Sequence, residues 1–151
     1  MQNLGGKCVF TSEWDKDAKR TYKANFGERP FGDITKEETK AFIPDGFDLL
    51  CAGFPCQAFS YAGQKLGFED ARGTLFYEFA RAVKEAQPKV FLAENVRGLL
   101  SHDEGRTLAT IKSIISEIGY ELIVEPHVLK AMFYQVPQKR ERLFFVGEIG
   151  R

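Results

Sequence analysis

The sequence has no surplus of charge of either sign: Lys and Arg together number 21, and so do Asp and Glu, in 151 residues. A basic overall field is the usual footprint of a nucleic-acid binder. Without one, any phosphate contact has to come from local clusters or from chain outside this sequence. Cysteine is scarce as well. Cys8, Cys51 and Cys56 cannot pair fully and show no CxxC spacing, which leaves no disulfide framework and no structural zinc site. In a reducing compartment a single exposed thiol is then open to catalytic use. No apolar run approaches the roughly 18 residues of a membrane span, and the start carries no signal-peptide pattern, so the expectation is a soluble, cytoplasmic chain. Repeats, low-complexity tracts and linkers are absent too, and no internal boundary is drawn. What remains, 44% hydrophobic and 28% charged residues, is the composition of an ordinary globular domain, long enough for one core.

Short apolar runs alternate with amphipathic stretches. Lys7 to Ser12 reads as a strand ending in Glu13-Trp14-Asp15. Ala18, Tyr22 and Phe26 then recur at helical spacing up to Gly27, a natural C-cap. Thr35 followed by Glu38 has the pattern of a capping box for a short helix that ends before Pro44. Phe47 to Ala52 and Lys89 to Ala93 read as strands, separated by a helical stripe of Leu75, Phe79, Val83 and Ala86. A second stripe, Leu108, Ile111, Ile115 and Ile118, ends at Gly119. Tyr120 to Val124 and Leu143 to Val146 are the last two strands, joined without a helix and therefore open to antiparallel pairing. Strands separated by helices predict an α/β fold with a mostly parallel sheet covered on both faces. In such sheets function gathers beyond the carboxyl ends of the strands, and Glu13, Cys56 and Glu94 each follow a strand closely.

Three constellations carry chemistry. Gly53-Phe54-Pro55-Cys56-Gln57 puts a thiol on a turn shaped by Gly and Pro, where nearby backbone N–H groups favour the reactive thiolate; taken alone, such a cysteine is as readily a small residue filling a turn. Cys51, inside the apolar strand, reads as core. Ala93-Glu94-Asn95-Val96 also follows a strand, and a carboxyl partly withdrawn from water can hold or donate a proton near neutrality; the plain alternative is a helix-capping Glu-Asn pair. In Gln138-Lys139-Arg140-Glu141-Arg142, alternation along an extended segment sends Gln138, Arg140 and Arg142 to one side. Planar guanidinium groups there suit carbonyl oxygens, carboxylates and phosphates, although charge runs more often guard a hydrophobic strand.

Together, GFPCQ, ENV and QKRER, in this order and at these spacings, resemble the signature blocks of the cytosine-5 DNA methyltransferase family, closest to its bacterial restriction–modification members. Glu13-Trp14-Asp15, Gly32-Asp33-Ile34-Thr35 and the segment Gly67 to Leu75 agree, so that the resemblance runs along essentially the whole chain. It implies a Rossmann-like S-adenosylmethionine-dependent methyltransferase sheet acting on double-stranded DNA. By similarity, Cys56 is the nucleophile that adds to carbon 6 of a flipped-out cytosine, and Glu94 engages ring nitrogen N3 and the exocyclic amine. Arg142 holds the base's O2, and Arg140 supports the thiol site and a nearby phosphate. Glu13 resembles the acid on the cofactor's ribose hydroxyls and Trp14 the ring packed on its adenine. Asp33 and Ile34 resemble the adenine-binding pair, while Pro55 and Leu75 line the methyl-donor pocket. Phe59 to Gly73 resembles a loop closing over DNA, with hinges at Gly63, Gly67 and Gly73 and phosphate contacts at Ser60, Lys65 and Arg72. Gln57 and Gln138 complete the DNA-facing set. No metal is implied.

The sequence departs from the family at both ends. A Gly-rich cofactor loop is expected ahead of everything seen here, and Leu4-Gly5-Gly6 does not replace it. Only six residues separate Gly6 from Glu13, too few for a helix and a strand. No target-recognition domain follows Arg151. The expectation is therefore residues 1–151 as a partial catalytic domain without its first, central strand, inactive alone, prone to self-association or completed by a complementary piece. Two other readings stand beside it: a tRNA cytosine-5 methyltransferase sharing the same blocks, and a non-catalytic remnant acting through a partner subunit.

Overall fold

A computed structural model describes residues 4–55, 68, 71 and 74–150. The chain divides into two compact units, Met1–Phe47 and Asp48–Arg151, at a point where the composition announces no linker.

In the first unit, the segment expected as a strand, Lys7 to Ser12, forms no ladder among the described residues. It makes one parallel bridge, Ser12 with Phe31. Phe31 N–H donates to Thr11 O at 2.8 Å and Glu13 N–H to Phe31 O at 3.2 Å. A strand exists only through its neighbours' hydrogen bonds, and one bridge does not make a ladder. Helix α1 (Lys16–Phe26) starts at Asp15, whose carboxylate accepts from Asp17 N at 3.0 Å and Ala18 N at 2.7 Å, satisfying N–H groups that the first turn leaves orphaned. It ends at Gly27 in the left-handed region, as expected. Helix α2 (Glu37–Lys40) is capped by Lys36 without a side-chain bond. The expected capping box does not form, because Thr35 directs its N–H and hydroxyl to Asp33 Oδ1, at 2.9 and 2.8 Å. Phe31 stacks between Phe10 and Phe42, centroids 5.2 and 4.6 Å away.

Among the described residues the second unit forms a five-stranded sheet with two α-helices. Its strands are β1 (Leu49–Gly53), β2 (Val90–Val96), β3 (Tyr120–Leu122), β4 (His127–Lys130) and β5 (Glu141–Ile149); its helices are α3 (Leu75–Ala86) and α4 (Arg106–Glu117). β1 pairs parallel with β2, β2 antiparallel with β5, and both β3 and β4 antiparallel with β5. The expectation of a mostly parallel sheet is corrected here. The helical crossovers do return the chain in one direction, so β1, β2 and β3 run the same way. β5 then inserts between β2 and β3 against both, which turns most pairings antiparallel. The far edge of β5 is shared: β4 pairs its residues Glu141 to Phe144, and β3 pairs Gly147 to Ile149. No helical or alternating pattern marked His127–Lys130 as a strand.

Burial alternates along β2, with Phe91, Ala93 and Asn95 buried and Val90, Leu92 and Glu94 half-buried. The buried face meets Phe76, Phe79, Ala80 and Val83 of α3 and Ile111, Ile114 and Ile115 of α4 in one core. Each fully buried side chain of this size contributes about 1.5–3 kcal/mol. Both helices thus lie on one face, and helical cover of the other does not come from the described residues of this unit. Cys51, paired with Leu92, belongs to that other face and is exposed, not core as its apolar neighbours in sequence suggested. What burial it has pushes its thiol pKa up, so it stays protonated and unreactive. No described helix is long and apolar enough to cross a membrane.

Gly147 stands opposite Phe91 in the β2–β5 register, and a Cβ there would run into Cε1 and Cζ of the Phe91 ring. The ring is fully buried and has nowhere to retreat. Gly147→Ala is therefore expected to lower stability by about 1–3 kcal/mol through overpacking. Urea unfolding should show a lower midpoint with an unchanged slope.

Candidate active site

At the carboxyl ends of β1 and β2 the register puts Gly53 directly beside Glu94. A Cβ on Gly53 would lie 3.2 Å from Glu94 Oε2, so the absence of a side chain there is what gives the carboxylate room. The next residue, Phe54, is fixed twice. Its ring is buried against Phe76, Phe79 and Phe145, with centroids 5.1, 5.6 and 6.5 Å away. Its carbonyl accepts from Asn95 Nδ2 at 2.9 Å, and Asn95 is only 1% exposed. Asn95 Oδ1 in turn accepts from Val96 N–H at 2.8 Å. The plain alternative of a Glu-Asn helix cap is not what forms: the buried amide instead ties the exit of β1 to the exit of β2. Pro55 follows with its φ locked by the ring. Asn95 is thus a site residue whose role sequence reasoning missed. The signal was present, an amide immediately after the carboxylate, but only burial reveals what it holds.

Arg142 reaches Glu94 from β5. Val96 pairs with Arg142, and Arg142 Nε lies 2.8 Å from Glu94 Oε1, with Arg140 NH2 3.6 Å from the same oxygen. The alternation expected along QKRER holds for these two arginines and breaks at Gln138. β5 begins only at Glu141. Before it the chain turns tightly, Gln138 N–H donating to Val136 O at 2.7 Å and Arg140 N–H to Gln138 O at 2.9 Å. Gln138 sits in that turn and does not share a strand face with the arginines.

Glu141 stands between the arginines in sequence and makes a separate set of contacts. Its Oε2 takes Arg97 NH1 at 2.7 Å and its Oε1 takes Lys130 Nζ at 2.9 Å. Hydrogen bonds from Lys130 and then Arg97 hold its carboxyl below the ordinary carboxylate range. An open pocket of about 620 Å³ lies here, lined by Arg97, Lys130, Met132, Lys139, Arg140, Glu141 and Arg142. Two of its cations, Arg140 and Arg142, are also those on Glu94.

The residues expected at the cofactor divide between the units. In the first, the Ser12–Phe31 bridge brings Glu13 and Trp14 alongside Gly32, Asp33 and Ile34. Glu13 Oε1 accepts from Asp15 N–H at 2.9 Å, and Trp14 is 75% exposed. Hydrogen bonds from the Thr35 backbone and then its hydroxyl hold Asp33 below the ordinary carboxylate range. Each carboxylate keeps a second oxygen open among the described residues. Two acceptors and a bare indole face suit a nucleoside, with its hydroxyls, amine and flat base. In the second unit Pro55 is exposed, and Leu75 packs against the core at the start of α3. Cys56, Gln57, Ser60, Lys65 and Arg72 lie outside the described residues, as do the expected hinges Gly63, Gly67 and Gly73. Among the described residues no cluster of His, Cys, Asp or Glu could hold a metal ion.

Replacing Asn95 by Ala would leave the Phe54 carbonyl buried without a partner. A loss of about 1–3 kcal/mol is expected, read as a lower denaturant midpoint, and Asn95→Asp should cost more near neutral pH because it buries a charge.

The family model described as C-5 cytosine-specific DNA methylase matches residues 1–149. Type II methyltransferase M.HpaII of Haemophilus parainfluenzae is 60% identical over 148 residues, covering 97% of this chain and 41% of the relative. Type II methyltransferase M.HhaI of Haemophilus parahaemolyticus is 50% identical over 146 residues, covering 97% and 43%. The chain therefore spans less than half the length of these relatives. The crystal structure of S. pombe Dnmt2 methyltransferase aligns with a TM-score of 0.70 over 99% of this chain and 45% of its own, at 21% identity, a likeness of fold. Rossmann-like in fold and matched over nearly all its length, the chain belongs to the C-5 cytosine-specific DNA methylase family.

Proposed function

We propose that this chain carries the catalytic core of a DNA cytosine-5 methyltransferase acting on duplex DNA in the cytoplasm. One observation carries the reading: Glu94, with Arg142 and Arg140 on its carboxylate, stands at the strand ends where Asn95 and Phe54 fix the chain leading into Pro55 and Cys56. Cytosine is a poor electrophile, so its ring has to be polarised while the nucleophile attacks. The Cys56 thiolate forms a bond to carbon 6, and the ring's π electrons shift to carbon 5. Glu94 holds or supplies the proton at N3, and Arg142 stabilises the negative charge at O2. Carbon 5 then takes a methyl group and afterwards gives up its proton, and the returning electrons expel the thiolate. S-adenosylmethionine, the family's methyl donor, supplies that group when bound. Within the first unit, Glu13, Trp14, Asp33 and Ile34 would hold its nucleoside.

The Arg142–Glu94 pair suits a site waiting for a base. A guanidinium held on a carboxylate by one short bond keeps both groups aimed at one place, and a base entering between them offers an acceptor to one and a proton site to the other. Extruding a base costs a few kcal/mol, which contacts to the base and the DNA backbone have to offset. A duplex substrate is favoured over RNA by the family description and by the type II methyltransferases among the relatives.

The reading is tested with the intact protein, S-adenosylmethionine and duplex DNA carrying 5-fluorocytosine, whose fluorine cannot leave as a proton does. A denaturation-resistant adduct is expected and should vanish in Cys56→Ser, because a hydroxyl is a far weaker nucleophile. Trapping that survives the substitution assigns the attack to another residue. Glu94→Gln is expected to slow turnover by about 10²–10⁴-fold while cofactor affinity stays close to the parent's. Normal turnover with poor cofactor binding would move Glu94 out of the base site.

A further inference from the structure

We propose that Phe68 is a positioning residue for methyl transfer: held between α3 and α4, it fixes the far end of the chain segment that carries Cys56. The proposal deepens the methyltransferase reading and rests on it. Phe68 is 4% exposed and belongs to the same buried cluster as Phe54. Its ring stacks on Tyr77, centroids 4.8 Å apart, and Lys84 Nζ lies 4.6 Å from its centroid. Its N–H donates to Glu117 Oε2 at 2.9 Å. Glu117 is the last residue of α4, where a negative charge opposes the helix dipole. Nothing within α4 favours an acid there; what the carboxylate gains is a charge-assisted bond to a buried N–H. Beyond Phe68 the chain stays pinned as far as α3. Phe68 O accepts from Ala71 N–H at 3.2 Å, and Ala71 O accepts from Thr74 N–H at 3.2 Å and from its hydroxyl at 2.8 Å. Thr74 in turn caps α3 through Tyr77 N–H at 3.0 Å.

The near end of the segment is fixed on the same helix. Phe54 packs on Phe76 and Phe79, and Asn95 holds its carbonyl. At 3.6 residues per turn, Phe76 and Phe79 face one side of α3, and Tyr77 and Lys84 the neighbouring side. Residues 56–67, twelve in all, therefore leave from one side of α3 and return to the next. Cys56 is the first of them. One fixed end sets where such a segment starts; two fixed ends also narrow the conformations open to it. Attack on carbon 6 depends on that narrowing, because a displacement of about 1 Å can cost 10²-fold in rate. Lys84 and Glu117 are both exposed, so surface groups hold the clasp and Glu117 can be replaced without opening the core.

The test is the rate at which the intact protein forms its adduct with duplex DNA carrying 5-fluorocytosine, at saturating S-adenosylmethionine, over a range of DNA concentrations. Phe68→Ala should lower the rate at saturating DNA by about 10–100-fold, while the half-saturating DNA concentration and the cofactor affinity stay close to the parent's. Glu117→Ala removes the acceptor and should slow the reaction several-fold. Glu117→Gln, whose amide oxygen still accepts, should recover most of that loss. Tyr120→Phe serves as the stability control. It removes a buried bond to Pro88 O at the opposite end of β2 from Glu94 and should lower the denaturant midpoint at an unchanged rate. A folded Phe68→Ala protein that reacts at the parent's rate overturns the proposal. So does a Tyr120→Phe protein that loses rate in step with its stability as Phe68→Ala does, and so do equal rates for Glu117→Ala and Glu117→Gln. Should Phe68→Ala not fold, the two Glu117 variants decide alone. Failure of the parent to form the adduct, or an adduct that survives Cys56→Ser, overturns the catalytic reading beneath and is seen before any ratio is taken.

Discussion

β2 hydrogen-bonds along both edges, parallel to β1 and antiparallel to β5, and this double pairing leaves little freedom in how Gly53, Glu94 and Arg142 stand to one another. A one-residue slip in either ladder would send Glu94 to the helix-covered face. That face is packed with Phe91, Ala93, Phe145 and Leu143, where an ionised carboxylate is very costly. The core therefore enforces the register, and the register builds the site. Asn95 shows the same coupling from the other side. It occupies the buried face beside these apolar residues and is tolerated there because both ends of its amide are bonded, to Phe54 and Val96.

Charge in the second unit is sorted by strand alternation. Arg140 and Arg142 meet Glu94, while Glu141 between them meets Arg97 and Lys130. One short run thus serves two carboxylate–cation clusters without mixing them. A charge run guarding a hydrophobic strand has no need of such order. Among the described residues every charged residue of the run except Lys139 has a partner of opposite charge.

Much of the second unit was legible in the sequence, for identifiable reasons. α3 and α4 carry apolar stripes at helical spacing, and β1 and β2 short apolar runs; their inward positions fell on the core, with Cys51 of β1 the exception. β4 was missed because His127–Lys130 is four residues without alternation and is held in place by β5, far along the chain. Lys7 to Ser12 was read as a strand from composition, whereas strand identity depends on a partner that composition does not report. Thr35 followed its nearest acceptor, Asp33, rather than the helix it precedes. Short-range competition of this kind is invisible to a spacing rule. For the site, the residue types of Glu94, Arg140 and Arg142 were readable and their convergence is now geometric. Asn95 was readable as a letter and not as a link.

The balanced total charge is the feature most at odds with the proposed action on DNA, and the distribution of charge bears on it. At physiological salt, fields decay over about 8 Å, so a phosphate responds to the groups lining the surface it touches and hardly at all to carboxylates elsewhere. Asp17, Glu37 and Asp103 contribute to the zero sum, but each is spent on a cation of its own helix or turn, Arg20, Lys40 or Arg106. Such pairs are neutral at a distance. The cations near the start of β5 are arranged otherwise: Arg97 and Lys130 share Glu141, Arg140 and Arg142 share Glu94, and Lys139 has no carboxylate partner among the described residues. Global neutrality with local excess limits nonspecific attraction to any polyanion while keeping attraction where the register has aligned Glu94 and the arginines.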